Sequence, residues 1–153
     1  MPSISSLAVK LQSNYQDYAF IDSEDFHWSP EQKTIFYDGT SEDYDALLHE
    51  LAHALLHHTS YKRDIHLLEL EREAWEYARQ HLTHLYGVTI TDDIIEDALD
   101  TYRDWLHARS MCPSCKATGI QTRQNEYKCV VCPAKWHVND ARSCALRRHV
   151  VSN

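Results

Sequence analysis

The sequence has no cysteine before residue 112, no apolar run near the ~18 residues of a membrane span, and no basic start followed by an apolar core. The last two absences argue against a membrane-spanning helix and a secretory leader, and the expectation is a cytoplasmic protein. The first confines thiol chemistry to the C-terminal region. Four of the five cysteines there form two Cys-x-x-Cys pairs, which in a reducing compartment point to metal ligation over disulfides. Positive charge is scarce as well. Residues 1–109 carry 8 Lys and Arg against 21 Asp and Glu, net −13, whereas residues 110–153 carry 7 against 2, net +5. A chain of 153 residues suits a compact domain with a small appendage, and the charge switch places the boundary at residues 109/110.

What is present centres on His49-Glu50-Leu51-Ala52-His53-Ala54-Leu55-Leu56-His57-His58. On an α-helix His49 and His53 project from one face about one turn apart, which suits two adjacent positions on a tetrahedral zinc ion. Glu50 lies about 100° further round, beside the metal, where it can accept a proton from water without ligating. The surrounding Leu47, Leu48, Leu51, Ala52, Ala54, Leu55 and Leu56 predict a largely buried helix, and unpaired histidines would be costly there. Leu56 and Thr59 stand where the His-Glu-x-x-His-x-x-Gly-x-x-His pattern needs Gly and His, so that third ligand is excluded. His57 reads as a helix-end residue near the negative dipole, with a place behind the metal ligands as the alternative.

Around this helix the chain reads as α+β. Ile4, Leu7, Ala8, Leu11 and Tyr15 repeat with a helical period. Tyr18 to Asp38 holds three short β-prone runs separated by polar links, which predicts a small antiparallel sheet. Asp38-Gly39 turns the chain, and Thr40 or Ser41 is expected to cap the histidine helix with Glu42 and Asp43 in its first turn. A long helix is predicted from Asp64 to Tyr86, stopped by Gly87, with Leu67, Leu70, Ala74, Ala78, His81 and Leu85 on one face. It also supplies the candidates for a third ligand, because Glu71 and Glu73 flank opposite edges of that stripe; periodicity does not choose between them. Ile90 to Arg109 predicts a last amphipathic helix capped by Thr91.

These two helices resemble the ImmA/IrrE family of metallopeptidases, whose signature is a His-Glu-x-x-His helix followed by one similar to Glu-x-Glu-Ala-Asn-x-Phe-Ala. Here the second reads Glu71-Arg72-Glu73-Ala74-Trp75-Glu76-Tyr77-Ala78, with Trp75 where the family has Asn or Asp. The likeness covers the layout from about Leu7 to Tyr86 and the motifs of the two helices only. It implies a zincin-like fold with a sheet beside the active-site helix, Glu71 as third ligand with Glu73 as the alternative, and cleavage of a protein or peptide substrate such as a repressor. Tyr77 and Tyr61 are candidate oxyanion stabilisers.

The C-terminal region has Cys112-x-x-Cys115, thirteen residues, then Cys129-x-x-Cys132. Two such knuckles brought together by a hairpin over Thr118 to Lys128 resemble a zinc ribbon, a structural metal site that leaves Cys144 over and His137 unneeded. The expected cofactors are therefore two zinc ions, one catalytic and one structural. Lys128, Lys135, Arg142, Arg147 and Arg148 make the ribbon basic. They suit nucleic-acid phosphates, with Trp136 or Tyr127 stacking on a base, and equally suit an acidic protein surface. No helix-turn-helix pattern accompanies them. A competing reading resembles SprT-like proteases, which pair the same helix with a terminal ribbon and act on DNA-associated proteins; its third ligand is a histidine, for which His66 is placed. In a third reading both metals are structural and the chain is a binding module.

Overall fold

The computed structural model describes residues 2–139 and 146–151, so Arg142 and Cys144 lie outside the described residues. The chain is α+β and divides into two compact units, Met1–Ser60 with Leu70–Ile95 and Tyr61–Glu69 with Glu96–Asn153. Among the described residues no helix is long and apolar enough to cross a membrane.

In the first unit, α1 (Ile4–Asn14) starts where Ser3 Oγ accepts a hydrogen bond from Ser6 N at 3.2 Å, and it buries Ile4, Leu7, Ala8 and Leu11 at the expected period. Three strands follow: β1 (Ala19–Ser23), β2 (His27–Ser29) and β3 (Thr34–Asp38), in the order β1-β3-β2. β2 pairs antiparallel with β3, but β1 pairs parallel with it, so the expected antiparallel sheet is a mixed one. The reason is burial. Ile35 is 0% exposed and Tyr37 8%, and putting this most apolar strand in the centre leaves the half-exposed strands at the edges.

α2 (Tyr44–Leu55) carries the histidines, and its cap also differs from expectation. Thr40 Oγ1 donates to Asp38 at 2.6 Å, and Ser41 Oγ accepts from Asp43 N at 3.0 Å. Both hydroxyls are thus engaged in the loop, and the helix begins behind Asp43 with Asp45 in its first turn. Leu47, Leu48 and Leu51 are fully buried, each stabilising the unit by roughly 1.5–3 kcal/mol relative to exposure. α2 packs on α1, β2 and β3.

The long helix expected over 64–86 is interrupted. It comprises α3 (Asp64–Tyr77), a π-helical turn (Ala78–Leu82) and α4 (Thr83–Tyr86), stopped as expected by Gly87 in the left-handed conformation at φ 65°. An unbroken helix would have turned His81 and Leu85 inward after Ala78. The wider turn changes the phase: Leu82 is buried, while His81 and Leu85 are exposed. α5 (Asp92–Ser110) is capped by Thr91, whose Oγ1 accepts from Ile94 N at 3.2 Å.

The second unit is built on an antiparallel sheet, β4 (Ile120–Arg123), β5 (Glu126–Lys128), β6 (Lys135–Val138) and β7 (Arg148–Val150), in sequential order. The predicted hairpin is β4–β5, with Asn125 at φ 61° in its turn. Tyr127 and Trp136, 2% and 0% exposed, stack with ring centres 5.7 Å apart. They form the core of this unit, which corrects the expectation that either ring stacks on a nucleic-acid base. Gly119 is required beside them, since a Cβ there would lie 2.5 Å from Trp136 Cη2 and 2.8 Å from Lys128 O. The unit also takes in Arg109, fully buried, whose carbonyl accepts from Trp136 Nε1 at 3.0 Å and whose guanidinium lies 4.2 Å over Trp105. Asp64 accepts from the Tyr127 hydroxyl, and its backbone N donates to Gln121 Oε1 at 2.8 Å. Hydrogen bonding thus draws Tyr61–Glu69 and the end of α5 into this unit, and the charge switch at residues 109/110 falls inside it.

Candidate metal centres

α2 presents His49 and His53 one turn apart, and α3 brings Glu71 opposite them. His49 Nε2 lies 2.8 Å from Glu71 Oε2, His53 Nε2 lies 3.3 Å from Glu71 Oε1, and the two imidazole nitrogens are 3.1 Å apart. All three residues are buried, and their donor atoms lie within 4.8 Å of one another, an arrangement that could bind a metal ion. Glu50 sits at the rim, Oε1 4.0 Å from His49 Nε2. Glu73 is on the other side of His53, Oε2 3.4 Å from His58 Nε2, and 57% of its side chain is exposed. The structure therefore separates the two glutamates that periodicity left equal. His66 is exposed and is not in the donor cluster.

The electrostatics favour a cation. Burial raises a carboxyl's pKa, but hydrogen bonds from His49 and His53 outweigh it and hold Glu71 well below the carboxylate range. Burial likewise opposes charge on His53, yet the hydrogen bond and charge of Glu71, with Glu50 and Glu73, raise it above its ordinary value. Two imidazole nitrogens and an ionised carboxylate oxygen facing one another in a buried site are a donor set that a divalent ion fits.

The ligands are held differently on their far sides. Trp75 stacks on His49, ring centres 4.1 Å apart and planes 19° apart, and His49 Nδ1 is buried with no hydrogen-bond partner among the described residues. His53 Nδ1 instead lies 2.9 Å from His58 Nδ1. His58 was not identified from sequence, and the end of α2 explains how it arrives. His57 takes the left-handed conformation at φ 57°, its N–H donates to Ala54 O at 3.1 Å, and His58 N–H donates back to His53 O at 3.0 Å. This is the Schellman arrangement, which returns the second residue past the helix onto the last turn. A histidine pair past the helix end was the available signal, since a reversal there must set the second against His53. Burial and the neighbouring His53 hold His58 below its ordinary pKa. Its carbonyl accepts from Trp28 Nε1 at 3.0 Å. His57 itself is a helix-end residue, exposed beside an open cleft of about 480 Å³ that it lines with Tyr18, Trp28 and Lys33. Tyr77 packs on His81, ring centres 4.6 Å apart, and Tyr61 belongs to the second unit.

The cysteine centre is assembled by backbone. Cys112, Cys115, Cys129 and Cys132 converge within 4.8 Å, with Sγ atoms 3.7 Å apart for Cys112–Cys132 and 3.5 Å for Cys115–Cys129. A tetrahedral site with metal–sulfur bonds of ~2.3 Å has sulfur edges of ~3.8 Å, so the four thiols fit one ion. In the second knuckle Val131 N and Cys132 N donate to Cys129 Sγ at 3.3 and 3.4 Å; in the first, Ser114 N donates to Cys112 Sγ at 3.4 Å. Donation from Cys132 N and Val131 N pushes the Cys129 thiol down to about 6, the form a metal takes. Cys115 shows the opposite balance: a backbone bond from Ala117 lowers it, but Cys129, burial and the remaining cysteines push it up to about 12. Four thiols packed this closely do not all ionise without a cation. His137 is outside this centre, exposed on β6 and stacked on His149. Of the basic residues, Lys128, Lys135 and Arg147 are exposed, whereas Arg148 Nη1 donates to Met111 O at 2.6 Å.

No protein-family model matches the chain, and no curated protein or solved structure matches it either.

Proposed function

We propose that the first unit is a zincin-like, ImmA/IrrE-like zinc endopeptidase and that residues 110–153, within the second, are a zinc ribbon. The observation that carries this reading is the convergence of His49, His53 and Glu71 from two helices, with Glu50 at the rim. Zinc held by those three residues supplies a Lewis acid for the scissile carbonyl of a protein or peptide substrate and lowers the pKa of water to ~7. Glu50 accepts the proton of the attacking water on its carboxylate and passes it to the leaving amine. Glu71 offsets the ion's charge, and the leucines of α2 hold His49 and His53 at fixed spacing. The SprT-like reading needs a histidine as third ligand, and exposed His66 does not meet the donor cluster. The binding-module reading leaves unexplained a carboxylate placed beside the donors and outside the ligand set.

The test is Glu50→Gln, which keeps shape and hydrogen-bonding capacity but cannot take the proton. The variant is expected to fold, to retain two zinc ions, and to lose zinc-dependent cleavage in source-cell lysate by at least ~10²-fold. Equal cleavage by variant and wild type would overturn the assignment of Glu50, and a wild type that cleaves nothing would favour a binding role.

A further inference from the structure

His58 is buried against a proposed ligand, and the endopeptidase reading gives it no task. We propose that His58 is a positioning residue for the histidine–carboxylate centre. It fixes the tautomer and ring orientation of His53, and Glu73 fixes its own. The inference rests on His53 being a metal ligand, as proposed above.

The sense of the hydrogen-bond chain follows from its outer end. Glu73 Oε2 lies 3.4 Å from His58 Nε2 as an ion-pair contact, and a carboxylate on that side favours the His58 form with its proton on Nε2. A neutral imidazole has one proton, so His58 Nδ1 then carries a lone pair. That lone pair faces His53 Nδ1 at 2.9 Å and can be satisfied only by an N–H there. With an ion in place of the proton that His53 Nε2 shares with Glu71, His53 keeps its proton on Nδ1, and Nε2, 3.1 Å from His49 Nε2 and 3.3 Å from Glu71 Oε1, is the atom left to ligate. Glu73, His58 and His53 thus orient one lone pair towards the metal position.

The backbone makes the placement rigid. His58 is 8% exposed, its N–H is bonded to His53 O, and its carbonyl accepts from Trp28. Those bonds survive a change of side chain, so the imidazole can be altered with the turn retained. His49 has no such chain: its Nδ1 is unpartnered among the described residues, and Trp75 stacks on its face. Hydrogen-bonded orientation of the centre's imidazoles therefore falls on His58.

The experiment is zinc affinity of the full chain by chelator competition, with the cysteine centre as internal standard. His58→Leu is expected to weaken the histidine site ~10–100-fold and leave the cysteine site unchanged. His58→Asn, whose Oδ1 falls near the imidazole Nδ1, is expected to recover most of that loss. In zinc-loaded protein, ¹H–¹⁵N spectra should show a slowly exchanging proton on His53 Nδ1 in wild type and His58→Asn, and a faster-exchanging one in His58→Leu. Unchanged affinity in His58→Leu, with wild type binding normally, would overturn this inference alone. Equal losses in both variants with a lowered melting temperature would overturn it in favour of plain packing. A wild type that takes up no zinc at the histidine site would overturn the inference together with the reading it rests on.

Discussion

In the cysteine centre the donors within each pair are three residues apart, and backbone N–H groups of the same knuckle hold the sulfurs. In the histidine centre Glu71 lies 22 residues from His49 on another helix, and the donors are held by side chains packed on or bonded to them. The two centres therefore depend on their surroundings in opposite senses. The sheet of the second unit has a small core around Tyr127 and Trp136, so an ion held by the four cysteines would contribute much of its stability, whereas the first unit has its leucine core whether or not an ion is bound.

The largest effect that follows is loss of order in the second unit on removal of its metal. In Cys129→Ala, amide protection across β4–β6 and the near-ultraviolet signal of the Tyr127–Trp136 pair should vanish, since structural zinc contributes ~10 kcal/mol or more to small domains. Persistence of that protection would erase the contrast between the centres.

A smaller effect sharpens the contrast from the other side. In metal-free protein, Glu71 is held below the ordinary ~4.3 by His49 and His53. Its stabilisation is then complete above that value and is lost as pH falls through the folded value. Denaturant midpoints measured from about pH 6 to about pH 3 should fall more steeply for wild type than for Glu71→Gln. Parallel curves would show that Glu71 is not held by the two histidines.

The smallest effect concerns the end of α2. His57 adopts the left-handed conformation at φ 57°, which costs a side-chain-bearing residue about 1–2 kcal/mol, while glycine adopts it freely at some entropic cost in the unfolded chain. His57→Gly should therefore raise stability by about 0.5–1 kcal/mol in denaturant titration, with zinc affinity at both centres unchanged. Weakened zinc binding would show that His57 acts on the centre after all.

Legibility followed the same division. The cysteine knuckles were readable because their geometry is local, as were His49, Glu50 and His53, which one helical turn relates. α1, α5 and the stop at Gly87 were readable from period and caps. Glu71 could not be told from Glu73, since the choice depends on how α3 is rotated against α2, which residue spacing along α3 does not record. The π turn escaped for a related reason: it exists to bury Leu82 in place of His81, a gain visible only once the neighbouring elements are placed. The parallel pairing of β1 with β3 was hidden because each run looks like a hairpin arm taken alone. His58 was missed because the reversal that delivers it hinges on a histidine where a glycine is the usual sign.

Trp75 gives the histidine centre an optical consequence. An indole stacked 4.1 Å from the His49 ring is within the range where an open-shell ion bound by that imidazole quenches fluorescence through the contact. Cobalt or copper in the first centre would darken Trp75, while zinc would leave it bright. Trp136, in the core that abuts the cysteines, would respond to loading of the second. With Trp75 replaced by Phe, the first response should shrink to what Trp28, bonded to His58 O at 3.0 Å, supplies. The chain thus carries an indole beside each candidate metal centre, and ions entering either can be followed without a substrate.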